Sequence, residues 1–374
     1  MTKERAVAVA LLLAFGGLAG CRPGYIMRVG VEHLRYVGSA HPISEEIERT
    51  ADPDRRRRLE AVLAARDYAA EHGLEVGGSY LEVADTEGLA TAYVVTAAHA
   101  DRLEPYTWSY PIVGRIPYRG YFDPERARSF AASLEEEGLD THIVEASGYS
   151  TLGWFDDPLP SGVLANDEVE VVTVVLHELV HQTVFVTGNI AFNETLASAV
   201  GGRLAIQFFE ERGDDERARV ARERYDRWLA QGELLDDLVV RLEAYFDRSR
   251  DFDAAAMRAG RAEIYEDALQ GLRDVRLVGD DDGDDVAARI NNAVLLAVYR
   301  YRRRARLFDE YLGRFSNVSE AMDELGASLD AHDDPYDALT GAVRTGACCS
   351  RTVAMFSLVE SGVCGAATRS ESQI

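Results

Sequence analysis

The chain has 374 residues, of which 47% are hydrophobic, and its formal net charge is −24 at pH 7. This length and apolar content predict a globular fold with a sizeable core and exclude a disordered chain. The strong negative charge argues against a basic surface for nucleic acid, so we expect no nucleic-acid partner.

Residues 1–20 have the pattern of a lipoprotein signal peptide. MTKER precedes the 15-residue apolar run AVAVALLLAFGGLAG, which is short for a membrane span. The tetrapeptide LAGC at 18–21 resembles the lipobox of bacterial lipoproteins, which predicts cleavage before Cys21, its lipidation and a membrane partner through that anchor. Arg22 is not the aspartate associated with inner-membrane retention, so we expect the outer membrane of the bacterial cell envelope, facing the periplasm. An ordinary secretory signal is the alternative, and it also takes the protein out of the cytoplasm.

The remaining cysteines and the acidic run indicate no further metal site. With Cys21 lipidated, Cys348, Cys349 and Cys364 remain, and three thiols cannot all pair within one chain. Residues 280–285 carry five aspartates but lack the closing glutamate of a calcium loop, so we interpret them as a surface loop.

The N-terminal half is expected to mix helices with a small sheet. Residues 21–45 are predicted to be a tether and entry segment, and a helical segment interrupted near Pro53 follows and stops at Gly73. Alternating or β-branched patterns predict strands or hairpins in SYLEVAD, TAYVVTAAH, SYPIVGRIPYRGYFD and THIVEAS. PERARSFAASLEEEG between them is predicted to be a helix, with proline in its first turn.

The C-terminal half is expected to be helical. DEVEVVTVVLHELVHQ is apolar on most sides, which predicts a buried helix. Further helices are predicted over 193–212, 214–275, NNAVLLAVYRYRRRARLFDEYL and VSEAMDELGASLDAH. The predicted fold is therefore α+β and mostly α-helical, with a single domain over 46–344 and a poorly ordered tail at 345–374.

The segment HELVH at 177–181 carries the clearest chemical signal. Residues four apart in a helix lie on one face, so His177 and His181 can direct both imidazoles at one ion, an arrangement that zinc favours. Glu178 lies about 100° round the helix, where it can reach a water at the metal. Buried polar groups in so apolar a helix need partners, and a metal would supply them. The alternative is two satisfied core histidines with Glu178 in a salt bridge.

Glu194 is the predicted third ligand, because a catalytic zinc takes three protein ligands and keeps one open position. It lies near the start of the next predicted helix, with Asn193 as a plausible N-cap. β-branched residues and the Gly-Asn pair at 188–189 predict that the first helix ends soon after Gln182, which lets the chain double back. A helix that ran on to Thr187 would leave Glu194 too far out. A first-turn glutamate favoured by the helix dipole is the alternative.

Four stretches together resemble a family of bacterial zinc aminopeptidases that are predicted lipoproteins with a gluzincin-like H-E-x-x-H site: HELVHQ, FNET, GYSTLGWFDDPL and PYRGYF. The resemblance extends from about Cys21 to Ala338. It implies a zincin-like fold, Zn²⁺ as cofactor, peptide substrates and Glu178 as the catalytic carboxylate. The metal ligands that it implies are His177, His181 and Glu194. The interval before Glu194 is shorter than in better-known zinc aminopeptidases, and no GxMEN-type motif for a free amino terminus is evident.

An oxyanion donor is also expected, since zinc peptidases commonly use a tyrosine hydroxyl. Tyr149 is the predicted catalytic tyrosine, with Tyr118 and Tyr121 as alternatives, and the other interpretation of each is a packing residue. Arg119 is a candidate for binding a substrate carboxylate, or an exposed strand arginine. The segment WFDD at 154–157 has two interpretations. Its aromatic pair can line a pocket or pack in the core, and its aspartate pair can orient a ligand histidine or form a turn.

The function predicted from these residues is zinc-dependent peptide hydrolysis, with Glu178 as general base and aminopeptidase action. A second hypothesis is an envelope lipoprotein that binds or chaperones proteins and keeps a structural or vestigial zinc site. A third is a zinc hydrolase acting on a non-peptide bond. An open metal position within reach of Glu178 would favour an enzyme. The oligomeric state stays open.

Overall fold

A computed structural model describes residues 36, 38–85, 92–110, 114–121, 123–146, 158–278 and 290–341. Most of these residues are helical, and the strands form small sheets in the N-terminal half. The predicted α+β, mostly helical fold is therefore confirmed. Several predictions lie outside the described residues: the signal peptide, Cys21, Tyr149, the WFDD segment at 154–157, the acidic run and the C-terminal tail with its cysteines.

The helices of the described part begin with α1 (Ile43–Arg49), α2 (Pro53–Glu71) and α3 (Pro124–Glu136). A short 3₁₀ turn (Ser161–Ala165) leads into two central helices, α4 (Glu168–Thr183) and α5 (Ile190–Glu211). The remaining helices follow in chain order: α6 (Asp215–Arg248), α7 (Ala254–Asp274), α8 (Asn292–Tyr299), α9 (Ala305–Leu312), α10 (Val318–Leu329) and α11 (Pro335–Thr340). None of the helices in these ranges is both long and apolar enough to span a bilayer.

Within the described ranges the strands form three small sheets. Their members are β1 (His41–Pro42), β2 (Glu82–Ala84), β3 (Ala92–His99), β4 (Trp108–Tyr110), β5 (Gly114–Ile116), β6 (Tyr118–Tyr121), β7 (Leu139–Ala146) and β8 (Leu159–Pro160). The largest has the order β6-β3-β7 and is antiparallel. A second has the order β1-β2-β8, with β2 and β8 parallel, and β4 pairs with β5 as a hairpin. Helix α3 covers one face of the largest sheet through Ala127, Ala131 and Leu134.

The main core lies around α4 and α5. Helix α4 is rich in valine, a residue of modest helix propensity, and tertiary burial stabilises the helix here. Its buried residues are Val169, Val171, Val172, Val175, Leu176, Leu179 and Val180. They pack with α2, with α5 and with the aromatic side chains of Phe192 and Phe308. Packing reaches back to the predicted entry segment, where the fully buried Tyr36 donates a hydrogen bond to Pro158 O.

A buried polar network fastens the largest sheet to the helical half. Arg261 of α7 pairs with Asp140 of β7 and donates to Ala100 O at 3.0 Å. Asp140 also accepts from the backbone N–H of Asn292, whose side chain donates to His99 O at 2.8 Å. Because both charged groups are buried and paired, this network fixes how the sheet sits against the helices.

The structure corrects one predicted helix. The segment at 291–312 is not continuous, because α8 ends at Tyr299 and α9 begins only at Ala305. Arg304 has φ +55°, a left-handed backbone that a continuing helix excludes. Its backbone N–H donates to Asp236 Oδ1 at 3.2 Å, and Trp228 Nε1 donates to Tyr301 O at 3.0 Å, so α6 holds the turn in place. The helical periodicity continues through this segment, so the sequence did not indicate the break.

Candidate metal centre

Helix α4 presents the two histidines of the motif on one face. Its N-terminus is capped by the Asp167 carboxylate, which accepts from Glu170 N at 3.1 Å. One turn separates His177 from His181 near the C-terminal end, and their Nε2 atoms lie 3.3 Å apart. The spacing read from the sequence therefore brings both imidazole nitrogens to one point.

The chain doubles back directly after this face. Helix α4 ends at Thr183, as predicted, and α5 begins at Ile190. The predicted N-cap Asn193 is wrong: Asn189 caps α5 by accepting from Phe192 N at 3.3 Å. Asn193 lies inside the helix and is buried, where its side chain accepts from Val186 N at 2.8 Å and donates to Val186 O at 2.9 Å. This clamp holds the connection closed because a buried amide without those two bonds would be costly.

Glu194 completes a triangle of potential ligand atoms. Its Oε2 lies 3.4 Å from His177 Nε2 and 3.6 Å from His181 Nε2. Within the described part of the chain, these residues form the His/Cys/Asp/Glu group close enough to share one ion. A tetrahedron with metal–ligand bonds of about 2.0–2.1 Å has edges of about 3.3–3.4 Å. The three separations, from 3.3 to 3.6 Å, are therefore close to the edges of such a tetrahedron.

The charges of the three side chains are strongly coupled. Burial alone would raise the pKa of Glu194, but hydrogen bonds from the two histidines lower it to about 2. Burial alone would lower the pKa of His181, but the hydrogen bond and charge of Glu194 raise it overall. Nδ1 of His181 is buried and finds no hydrogen-bond partner among the residues the structure describes. The polar contact of the buried His181 ring is therefore made through Nε2, the nitrogen that lies near Glu194 and would bind an ion.

Two features of α5 set the position of His177. A Cβ added at Gly201 would lie 2.8 Å from the backbone N of His177 and 2.9 Å from its Cα, so glycine permits the close approach of the two helices. Ser198, one turn after Glu194, places its Oγ 3.5 Å from His177 Nδ1 and donates to Glu194 O at 2.8 Å. Ser198 was not singled out by sequence, although its spacing of four from Glu194 puts it on the same face.

Glu178 follows His177 in the chain but is not part of the group formed by His177, His181 and Glu194. The side chain is half-buried, and within the described ranges no hydrogen bond or ion pair engages its carboxylate. Its negative charge acts on His181 and on Tyr301, where it contributes to raised pKa values. The salt bridge that would make it a purely structural residue is therefore absent from the described residues.

The charge of Glu194 acts on two tyrosines. Burial, and then the charge of Glu194, raises the pKa of the Tyr118 hydroxyl, against the opposing effect of Arg300. Burial and then the charge of Glu194 raise the pKa of Tyr301 to about 12, although 38% of the side chain stays exposed. Both hydroxyls thus remain protonated donors at neutral pH.

The other sequence candidates contribute less to this group. Tyr121 packs against Phe130 at 5.5 Å between ring centres, and the Arg119 guanidinium lies 5.1 Å from the centre of the Phe130 ring. The sequence did not identify Arg300 and Tyr301 as site candidates. Their pattern predicts a continuous helix, and no regular spacing connects them with HELVH.

The model of one protein family matches residues 24–333, and that family is described as "Putative aminopeptidase". The chain belongs to this family. Membership indicates peptidase activity. The matched range includes the strands, α4, α5 and the segment with Tyr301. No curated protein matches the chain, and no solved structure matches it.

Proposed function

We propose that this protein is a zinc-dependent aminopeptidase that uses Glu178 as its general base. One observation carries the proposal: three potential ligand atoms lie 3.3, 3.4 and 3.6 Å apart, and the carboxylate of Glu178, next to His177 in sequence, has no partner among the described residues. Family membership supports peptidase activity, and the donor set of two imidazoles and one carboxylate is that of hydrolytic zinc sites. His177, His181 and Glu194 would hold the ion.

Bound Zn²⁺ would supply a Lewis acid that polarises the scissile carbonyl and acidifies water. Glu178 then accepts a proton from the attacking water and delivers it to the leaving amine. This role requires a carboxylate that is free of other partners, which is the state of Glu178 in the described part of the chain. The low pKa of Glu194 keeps that residue ionised, which suits a metal ligand.

Tyr118 and Tyr301 are the donors that can stabilise the oxygen of the carbonyl as it becomes negative. Their raised pKa values keep the protons on both hydroxyls at neutral pH. Tyr149, predicted for this role, lies outside the described residues and keeps its place as a candidate. Replacement of each of the three by phenylalanine would identify the donor by loss of kcat.

The test is cleavage of a mixed peptide library by the zinc-loaded full chain in detergent, with products identified by mass spectrometry beside Glu178→Gln. Stepwise loss of amino-terminal residues by the wild type alone is the expected result. Internal cuts that depend on Glu178 would retain zinc peptide hydrolysis and remove exopeptidase action. An intact library with both proteins would contradict the proposal. Glu170→Gln, on the same helix, is the matched control and should cleave like the wild type.

We also propose that the enzyme is held in the cell envelope by a lipid on Cys21, on the periplasmic face of the outer membrane. The lipobox-like LAGC at 18–21 supports this. Cys21→Ser should move the protein from the membrane fraction to the soluble periplasmic fraction. Continued sedimentation of Cys21→Ser with membranes would contradict the anchor.

A further inference from the structure

The segment at 300–304, which interrupts the predicted helix, lies against the metal-ligand group. Thr195, the residue after Glu194, donates its hydroxyl to Arg300 O at 3.3 Å. The Arg300 guanidinium carbon lies 5.9 Å from the centre of the Tyr118 ring. Tyr118 and Tyr301 both lie within reach of the Glu194 charge. These contacts place Arg300 between Thr195, which follows Glu194, and the Tyr118 ring.

The guanidinium of Arg300 is half-buried but keeps its donors unused. In the ranges that the structure describes, it makes no hydrogen bond and no ion pair. Two nearby arginines differ: Arg302 donates to Gln231 Oε1 at 2.8 Å and to Val298 O at 3.1 Å, and Arg306 pairs with Glu233. Arg303 and Arg304 resemble Arg300 in lying near an aromatic ring, but their ring is that of Tyr336, whereas Arg300 lies near Tyr118. The contact with the Tyr118 ring is near the outer limit of cation–π attraction and leaves the N–H groups free.

An unpaired guanidinium next to a peptide-cleaving site has a definite chemical preference. Its planar fork of N–H donors matches the two oxygens of a carboxylate, and such charge-assisted pairs are the strong ones. The chain as a whole carries a net charge of −24, so the surroundings in general disfavour anionic substrates. A local cation at the site is what would make an anionic group acceptable there.

We propose that Arg300 is a specificity-determining residue that binds a carboxylate of the peptide substrate, either its C-terminal carboxylate or an acidic side chain. The proposal rests on the peptidase function above and names its substrate class: short or acidic peptides that present a carboxylate beside the scissile bond. Tyr118 supports the guanidinium through its ring and supplies a hydroxyl to the same substrate.

The experiment compares matched peptides that differ in one charge. Ala-Ala-Ala as free acid is compared with its C-terminal amide, and Ala-Glu-Ala-amide is compared with Ala-Gln-Ala-amide. The ratio of kcat/KM within each pair is measured for the full-length wild type, Arg300→Gln and Arg306→Gln. The wild type should favour the carboxylate member of at least one pair by about 10- to 100-fold, the range of a hydrogen-bonded ion pair. The pair that shows the preference identifies the source of the carboxylate.

Arg300→Gln should bring that ratio close to unity, whereas Arg306→Gln, whose partner Glu233 lies away from the site residues, should keep it. Dissociation constants for the same peptides with the Glu178→Gln protein, measured by calorimetry, provide a readout that does not need turnover. An Arg300-dependent preference in binding without any cleavage would retain this inference and remove the peptidase function. Cleavage with equal ratios in wild type and Arg300→Gln would overturn the inference and leave the peptidase function standing, whereas equal ratios in binding without any cleavage would overturn both.

Discussion

Helix α5 contributes to two clusters of polar side chains, and they differ in how fully their members are paired. At its C-terminal half, Arg203 donates from Nε and Nη2 to Asp309 Oδ1 at 3.0 and 2.6 Å and from Nη2 to Asp309 O at 2.8 Å. Tyr225 donates to the same carboxylate oxygen at 2.8 Å. At its N-terminal half, Glu194 meets the two histidines, and the described groups around them keep unused donors and acceptors.

The difference distinguishes a structural network from a candidate ligand-binding site. The Arg203 cluster satisfies its charges internally, which is what a partly buried ion pair needs to be stable. In the group of His177, His181 and Glu194, the imidazole nitrogens and the carboxylate oxygen lie close enough together to hold one metal ion, and Glu178 and Arg300 lack hydrogen-bond and ion-pair partners within the described residues. Incomplete pairing of buried groups is costly, and binding sites are where that cost is met by a ligand.

The largest expected effect is on zinc affinity in Glu194→Gln. This change removes the charge of one of three ligands and should weaken zinc binding by more than about 100-fold, since loss of a group that merely orients a ligand costs about 10–100-fold. Affinity is measured by competition with a chromophoric chelator. Glu210→Gln, the same substitution further along α5, should bind zinc like the wild type. Equal affinities in both variants would show that Glu194 is not a ligand.

Asp309→Asn tests the other cluster. It leaves Arg203 without its anion in a half-buried position and should lower the free energy of unfolding by about 2–3 kcal/mol, less than for a fully buried pair. Urea denaturation measures this. Zinc affinity should stay within about 2-fold of the wild type, because no metal-ligand group is touched. A large loss of zinc with little loss of stability would reverse the assignment of the two clusters.

Two adjacent glycines of α5 allow a matched comparison. A Cβ at Gly201 would collide with the His177 backbone, whereas a Cβ at Gly202 would lie 2.5 Å from Cδ2 of Tyr225 in the structural cluster. Each change to alanine should cost about 1–3 kcal/mol of stability through overpacking, offset in part by the higher helix propensity of alanine. Only Gly201→Ala should also weaken zinc binding, as chelator competition would reveal. Equal zinc affinities in the two variants would contradict this.

The smallest effect is expected for Ser198→Ala. Its hydroxyl is 3.5 Å from His177 Nδ1, a weak contact that helps to orient the ring. Zinc affinity should fall by about 10-fold or less. The imidazole resonances of His177 in the NMR spectrum of the zinc-loaded protein should shift at the same time. Unchanged resonances would show that the ring is oriented by its packing against α5 alone.

Local patterns predicted much of the fold and the centre of the site. The apolar helix with HELVH, its end near Gln182 and the following helix with Glu194 all follow from periodicity and from the turn residues after the motif. These features depend on neighbours within about one turn of helix or one short loop, which a single sequence specifies.

Long-range features were beyond the sequence. Asn193 was predicted as a cap because its type and position suit one, yet its buried bonds to Val186 depend on how the whole connection folds. The break at 300–304 is imposed by contacts from Trp228 and Asp236, more than 60 residues earlier. Arg300 and Tyr301 reach the site only because of that break, so no spacing to the motif could identify them.

The most direct test of the central claim is the zinc content of the full-length chain. Inductively coupled plasma mass spectrometry after dialysis would be applied to the wild type, His181→Ala and Asp309→Asn, with circular dichroism to verify that each is folded. We predict about one zinc per chain in the wild type and in Asp309→Asn, and almost none in folded His181→Ala. A zinc-free wild type, or equal zinc in all three proteins, would contradict the claim that His177, His181 and Glu194 form the metal centre.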